Sequence, residues 1–249
     1  MSDAPIPWRV AVDMLAALSA CGPQKPPADI VGEDLFTWAQ NRFDAEEYAA
    51  ARNGFQAFLL SQPLSALTDS AQFMMAESQL RFGDALPAAE EFARLATGRP
   101  NSPWADDAQL GVCRAYMAAS PKISLSQEYA KRAIVECQRL TQFFPGSDLR
   151  EAAQALLAKA RGKLAAKSLE IGKYYFSRRF YGSANVYFEK AVSQQPGPDI
   201  LPELLELMYR SYGKIGFDTE AQAVRDRLLK EFPDTPEAAH VRGDGGGAG

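Results

Sequence analysis

The spacing of apolar residues before five prolines predicts a repeated helix. The five prolines each follow a helix-like stretch: Pro63, Pro100, Pro145, Pro196 and Pro233. The residue twelve positions earlier is always alanine: Ala51, Ala88, Ala133, Ala184 and Ala221. The residue eight positions earlier is Phe55, Phe92, Cys137, Phe188 or Arg225, and the residue five positions earlier is Phe58, Leu95, Leu140, Ala191 or Leu228. These three positions share one face of an α-helix that the proline ends, so the pattern predicts five similar amphipathic helices.

A second small residue predicts a partner helix in three of the five repeats. Ala39, Ala76 and Gly172 each lie twelve positions before one of the alanines. Small residues at this spacing let two helices approach closely, which is typical of the tetratricopeptide (TPR) hairpin. The prolines are 37, 45, 51 and 37 residues apart, a loose version of the 34-residue TPR period. In the fifth repeat Tyr209 and Arg225 replace a small and an apolar residue, which predicts a terminal cap facing water.

The chain is therefore predicted to be all-α, a TPR-like helical-hairpin solenoid of about five repeats, with no strand-like alternation. Helices are expected at 33–42, 45–61, 68–82, 85–97, 104–118, 125–143, 148–177, 180–194, 200–215 and 218–231. The domain prediction is a signal peptide at 1–21, a Pro-rich tether at 22–32, the solenoid at 33–238 and a flexible tail at 239–249.

Composition narrows the classes of function. With 47% hydrophobic residues, 23% charged residues and a net charge of −4, the 249-residue chain is of ordinary globular composition. A net negative charge argues against nucleic acid as a partner, because phosphate binding needs clustered Lys and Arg. The sequence has no apolar run of the roughly 20 residues that a spanning helix needs. Any link to a membrane is expected to be a lipid anchor only.

The scarcity of His and Cys predicts a protein without a catalytic or metal site. The lone histidine, His240, lies in the predicted tail, so neither a zinc site nor a Ser-His-Asp triad can be assembled. We expect no enzyme activity, no cofactor and no metal. Cys113 and Cys137 lie in predicted helices, where free buried cysteines usually act as small apolar residues. That interpretation is favoured over a disulfide linking the two helices of a hairpin.

The N-terminal residues have the pattern of an export signal. Arg9 precedes a mostly apolar run from Val10 to Leu18, which Asp13 interrupts. The residues Leu18-Ser19-Ala20-Cys21 then resemble the lipobox of bacterial lipoproteins, which implies cleavage before Cys21 and lipidation of its thiol. The alternative is an N-terminal segment with an incidental cysteine. A Pro-rich stretch after Cys21 suits a tether between an anchor and a folded body.

A run of basic residues predicts a docking surface in the C-terminal half. Lys159, Lys163 and Lys167 recur every fourth residue and form one stripe on a helix, and Arg178 and Arg179 follow. A charge run of this kind is often only a solvated face. The functional alternative is a surface that docks an acidic partner domain, and these five residues are the predicted partner-binding residues.

Several segments resemble the BamD-type family of outer-membrane assembly lipoproteins. The similarity spans most of residues 30–238, and its most specific part is Leu164 to Pro196, with Tyr174-Tyr175, Arg178-Arg179 and Tyr181. The resemblance implies an outer-membrane lipoprotein on the periplasmic face, and a scaffold of the machinery that folds and inserts β-barrel proteins. It also implies N-terminal repeats that receive unfolded outer-membrane proteins and C-terminal repeats that hold the barrel-forming subunit, with accessory lipoproteins as further partners. Gln62-Pro63-Leu64-Ser65 departs from the family pattern.

Two other functions remain open from the sequence. A periplasmic TPR adaptor of cell-envelope division or polysaccharide export would share the anchor and the repeats. A lytic transglycosylase built on TPR-like helices would need a catalytic carboxylate in a cleft domain, and no residues remain outside the repeats to form that domain. The Tyr174 to Tyr181 segment favours the assembly lipoprotein over the adaptor.

Overall fold

The computed structural model describes residues 25–244, and every regular element in this range is an α-helix. The helices are α1 (Glu33–Asp44), α2 (Tyr48–Ser61), α3 (Thr68–Phe82), α4 (Ala85–Gly98), α5 (Ala105–Ala119), α6 (Glu128–Phe143), α7 (Arg150–Ser177), α8 (Tyr181–Ser193), α9 (Leu201–Lys214), α10 (Asp218–Glu231) and α11 (Pro236–Asp244). The first ten correspond to the ten predicted helices, with ends that differ by up to three residues. No helix between residues 25 and 244 combines the length and the apolar character needed to cross a membrane.

The alanines that defined the repeat are buried. Ala51, Ala88, Ala133 and Ala184 are fully buried, and Ala221 is 6% exposed. The small partner positions Ala39, Ala76 and Gly172 are buried as well. A Cβ atom on Gly172 of α7 would lie 2.5 Å from Cδ1 of Phe188 in α8, a distance that no real pair of carbons keeps. The predicted all-α fold of TPR-like hairpins is confirmed.

The chain divides into two compact units, with the boundary between Glu91 and Phe92 inside α4. In the first unit, α1, α2 and α3 bury one apolar cluster around Phe55 and Phe58, and the ring of Phe36 packs edge-on against both. The main cluster of the second unit joins α7 to α11 around Phe188, Leu204 and Leu205. Burial of such side chains contributes about 1.5 to 3 kcal/mol each and is the main stabilisation of each unit.

The turn inside most hairpins uses one left-handed residue. Glu46, Gly83, Arg179 and Gly216 have φ values of 59°, 106°, 63° and 75°. Each of the four lies five residues before the repeated alanine of its hairpin. Glycine adopts this conformation without a steric penalty, whereas Glu46 and Arg179 bear a Cβ that makes it costly.

The connections between hairpins repeat a second turn. Ser65, Ser102, Ser147 and Thr235 each follow a helix-ending proline by two residues. The hydroxyl oxygens of the three serines accept the backbone N–H two residues later, at 3.1 to 3.2 Å, and that of Thr235 accepts the N–H of Ala238 at 3.3 Å. A serine or threonine thus satisfies a donor that the next helix leaves unpaired.

The predicted flexible tail is wrong over its first part. Helix α11 begins at Pro236 and runs to Asp244, and Ala238 and Val241 are fully buried in the cluster of the second unit. Arg225 donates from Nε to the carbonyl of Val241 at 3.0 Å. Arg225 was predicted to face water in a terminal cap, but it contacts α11 instead. Two apolar residues beside a glycine-rich end were too short a pattern to predict a helix.

The preference for two free cysteines is also wrong. Cys113 of α5 and Cys137 of α6 form a disulfide, with Cα atoms 5.3 Å apart. The spacing of the repeat placed both residues on facing helices, but it carried no signal of redox state. The predicted signal peptide at 1–21, with Cys21, and residues 245–249 of the predicted tail lie outside the described residues.

Candidate partner-binding groove

Two adjoining clefts in the second unit form a groove along α7, here called the α7 groove. The first cleft, of about 1070 Å³, lies beside the first half of α7, and the second, of about 780 Å³, lies beside its second half. Both clefts are lined by Ile123, Ala166 and Ile200, so they are neighbours along α7. Met117 and Leu156 add apolar surface to the first cleft, and Ile171, Tyr174 and Tyr175 add it to the second.

The walls of the α7 groove are built where the repeat becomes irregular. One wall is the loop 120–127, which replaces the short left-handed turn of the other hairpins. The other wall is the connection 194–200, in which Gly197 and Pro198 replace the serine turn, and the carbonyl of Gly197 accepts the N–H groups of Ile200 and Leu201. The loop 120–127 accounts for the 45-residue proline spacing, whereas the 51-residue spacing reflects the 28 residues of α7.

Two of the predicted lysines hold the first wall in place. Lys163 donates from Nζ to the carbonyl of Ser120 at 2.7 Å, at the end of α5, where a cation meets the negative end of the helix dipole. Lys167 donates to the carbonyls of Leu125 and Ser124. Burial, and then the charge of Lys159, lower the pKa of Lys163. The lysine stripe is therefore also a structural support for the loop.

Polar contacts fix the second wall to α7 and α9. Arg161 donates to the side-chain oxygen of Gln195. Lys173 forms ion pairs with Glu203 of α9 at 2.6 Å and with Glu170 at 3.3 Å. Burial lowers the pKa of Lys173, but the hydrogen bonds and charges of the two glutamates outweigh it, so the pKa lies above its ordinary value. This end of the groove is electrically balanced.

The charged side chains that line the α7 groove give it a net positive charge. Its lining includes five cationic side chains, Arg114, Lys159, Lys163, Lys167 and Lys173, and three carboxylates, Glu170, Asp199 and Glu203. Two of the carboxylates pair with Lys173 in the second cleft. The first cleft has three of the cations and one carboxylate, Asp199, so it combines an excess of cations with an apolar floor. In residues 25–244 no group of three or more His, Cys, Asp or Glu side chains could hold a metal ion.

The structure separates the five predicted partner-binding residues into two groups. Lys159, Lys163 and Lys167 line the α7 groove, whereas Arg178 and Arg179 lie in the exposed turn after α7 and are not part of its lining. The Arg178 guanidinium stacks 4.5 Å from the ring centre of Tyr174, which is 53% exposed. Phe180 follows, and is 59% exposed. An arginine, a tyrosine and a phenylalanine at one exposed turn are typical of protein interfaces.

Sequence reasoning found the lysines of the groove but missed the apolar residues of its two walls. Ile123 and Ile200 lie in the two irregular segments, where no helical period marks an apolar residue as part of a surface. The 45-residue spacing between Pro100 and Pro145 was the available signal for the first wall, whereas the second wall lies across Pro196 and lengthens no proline spacing.

Comparison with known families gives this arrangement a context. The profile of the YfiO family, described as outer membrane lipoprotein, matches residues 28–228, which cover both units. The chain belongs to this YfiO family. The α7 groove and the turn of Arg178 and Arg179 both lie inside the matched range, so they are features of the family domain in this chain.

Individual relatives of this YfiO chain are distant. The outer membrane protein assembly factor BamD of Caulobacter vibrioides is 20% identical over 231 residues, which cover 90% of this chain and 75% of the relative. A thermophilic TPR protein of Thermus thermophilus aligns at 19% identity and a TM-score of 0.38, over 84% of this chain and 95% of that structure. TPR-like repeats of a kinesin light chain from Podosopora anserina align at 16% identity and a TM-score of 0.40, over 80% and 93%. At these scores the two structures add nothing to the family assignment.

Proposed function

We propose that this chain is an outer membrane protein assembly factor, a scaffold of the machinery that folds and inserts β-barrel proteins. The observation that carries the proposal is the match of the outer membrane lipoprotein family over residues 28–228. The assembly-factor name of the Caulobacter relative supports the same role. The scaffold works by binding alone, without a catalytic step, a cofactor or a metal.

In this proposal lipid on Cys21 anchors the chain to the periplasmic face of the outer membrane. The lipobox-like Leu18-Ser19-Ala20-Cys21 and the family description support the anchor. Thioether-linked diacylglycerol together with an acylated amine exceeds the two membrane signals that stable anchoring needs. The partners are the barrel-forming subunit, accessory lipoproteins and unfolded outer-membrane proteins.

The two groups of basic residues are the proposed docking positions for the barrel-forming subunit. The exposed turn with Arg178 and Arg179 offers cations and aromatic rings to a folded domain, and Lys159 extends the positive surface along α7. Complementary charge mainly sets orientation and the rate of association. Reversing the sign of several charges is therefore expected to slow docking more than any single neutral substitution.

Photo-crosslinking in cells tests the proposed function. A crosslinkable residue at position 178 or 159, in cells that depend on this chain, should capture the barrel-forming subunit, and depletion should lower the level of β-barrel proteins in the outer membrane. A matched probe at Val135, which is 48% exposed on α6, should give a lower yield. Capture of division or polysaccharide-export proteins, with normal levels of β-barrel proteins on depletion, would instead establish the adaptor function.

A further inference from the structure

We propose that the α7 groove binds an extended polypeptide segment with carboxylate side chains in its first cleft and aromatic or aliphatic side chains in its second. This inference rests on the proposed function, because it names a class of ligand for a protein scaffold. It concerns an extended segment of a bound partner, whereas the turn of Arg178 and Arg179 suits a folded domain.

The shape of the groove favours an extended chain. The α7 residues that line the first cleft run from Leu156 to Ala166, and those that line the second run from Ala166 to Tyr175. A rise of 1.5 Å per residue places the two centres about 14 Å apart. An extended chain covers that distance in about four residues. Both clefts, which residues of 120–127 and 194–200 also line, are open at the surface rather than enclosed like a cavity for a small molecule.

Charge sets the direction in which the segment lies. Lys159 and Lys163 are one helical turn apart in the first cleft, and Asp199 is the carboxylate that lines it with them. A carboxylate placed between the two ammonium groups would relieve their mutual repulsion, which helps to lower the pKa of Lys163. In the second cleft the two carboxylates Glu170 and Glu203 balance the two cations Lys167 and Lys173, so an added acidic group gains little there.

The apolar surface selects the other end of the segment. Ile171, Ile200 and the rings of Tyr174 and Tyr175 line the second cleft. Tyr175 stacks on Tyr187 with ring centres 5.4 Å apart, which fixes the orientation of its ring. A fixed aromatic wall binds an aromatic or aliphatic side chain at a low cost in side-chain entropy.

Peptide binding to the full chain tests the inference. The probe is a fluorescein-labelled ten-residue peptide with two aspartates near one end, two phenylalanines near the other and four Gly or Ser residues between them. We expect saturable binding by anisotropy that weakens as salt is raised. The same peptide with lysine in place of aspartate should bind at least tenfold more weakly. Equal binding of the two peptides would overturn the charge assignment.

Two pairs of variants locate the site. Ala166 lines both clefts, so Ala166→Trp should fill the groove and weaken binding at least tenfold, while Ala155→Trp, at an exposed position of α7 outside the lining, should not. Lys159→Gln should weaken binding about threefold, as expected for one exposed ion pair, and Lys190→Gln on α8 should have no effect. Unchanged binding in a folded Ala166→Trp variant would overturn the inference.

Peptide binding and depletion in cells together separate this inference from the proposed function. If the chain supports outer-membrane assembly in cells but binds neither peptide, the groove inference fails and the assembly role stands. If the acidic peptide binds but depletion leaves β-barrel proteins unaffected, the assembly role fails and the groove stands. Binding of vesicles with anionic phospholipid that Ala166→Trp abolishes, without binding of the peptide, would make the groove a lipid site and overturn the peptide assignment.

Discussion

Single residues set the distance between helices in this chain. The repeated alanines are buried, where a larger side chain would push the helices apart. Gly172 lacks even a Cβ atom, and the ring of Phe188 occupies the space that a Cβ would need. The ring is fully buried and cannot turn away without opening a cavity. The small positions are therefore structural, and they were predicted from spacing alone because a close contact leaves a direct mark in the sequence.

Gly172→Ala is predicted to destabilise the second unit by about 1 to 3 kcal/mol, because the new methyl group overpacks the contact with Phe188. Gly162→Ala, in the same helix, is the matched control. Its Cβ would meet no atom within 4 Å, so the higher helix propensity of alanine should stabilise the chain by up to about 1 kcal/mol. Denaturant unfolding measures both, and a stabilising effect of Gly172→Ala would contradict the contact.

Arg179→Gly is predicted to raise stability and lower partner docking together. The left-handed turn strains the Arg179 backbone, so glycine at this position should stabilise the chain by up to about 1 kcal/mol. The greater conformational entropy of the unfolded chain with glycine offsets part of the gain. Arg179→Ala removes the same charge but keeps the strain. Docking should weaken equally in both variants, with a higher melting temperature only for Arg179→Gly. Unchanged docking in both would show that Arg179 has no part in the interface.

At the scale of elements, regular hairpins were predictable and irregular connections were not. The helices were predicted because apolar positions recur on one face for three or more turns, as in α2 around Phe55. The loop 120–127 is fixed instead by contacts distant in sequence, such as Lys163 with the carbonyl of Ser120, 43 residues away. No local period encodes such a contact. For the same reason the groove that these connections form was only half predicted, through its lysines.

The double substitution Cys113→Ala and Cys137→Ala is predicted to lower the stability of the second unit by about 3 kcal/mol, because the disulfide closes a loop of 24 residues. Chemical denaturation of the wild type with and without dithiothreitol is the matched comparison. The reduced wild type should unfold at nearly the same denaturant concentration as the double variant. A wild type that is insensitive to reduction would contradict a stabilising disulfide.

At the scale of the whole molecule, sequence alone predicted the class of protein better than its boundaries. The all-α fold and the family were recovered, because repeat positions and the Tyr174 to Tyr181 segment are distributed over most of the chain. Helix α11 was missed, because Ala238 and Val241 are its whole contribution to the core. A short terminal element gains its stability from the surface that it covers, and its own sequence shows little of that surface.

Cys21→Ser is predicted to remove the chain from the outer-membrane fraction, because the lipobox-like Leu18-Ser19-Ala20-Cys21 puts the proposed lipid on the Cys21 thiol. Labelled palmitate should enter the wild type and not the variant. Lys25→Gln, a few residues further along the tether, is a control that should leave both labelling and fractionation unchanged. Equal incorporation in wild type and Cys21→Ser would contradict lipidation at this residue.

The buried disulfide also gives a way to measure how often the third hairpin opens. Cys113 and Cys137 are 0% and 1% exposed, so a thiol reductant reaches the sulfur atoms only when α5 and α6 separate. The rate of reduction under native conditions therefore counts the openings of this hairpin. The covalent ring encloses the loop 120–127, which is one wall of the α7 groove. A ligand that binds only the closed groove must lower the rate of disulfide reduction in proportion to the fraction of grooves that it occupies. The reduction rate therefore reports occupancy without a label on the ligand.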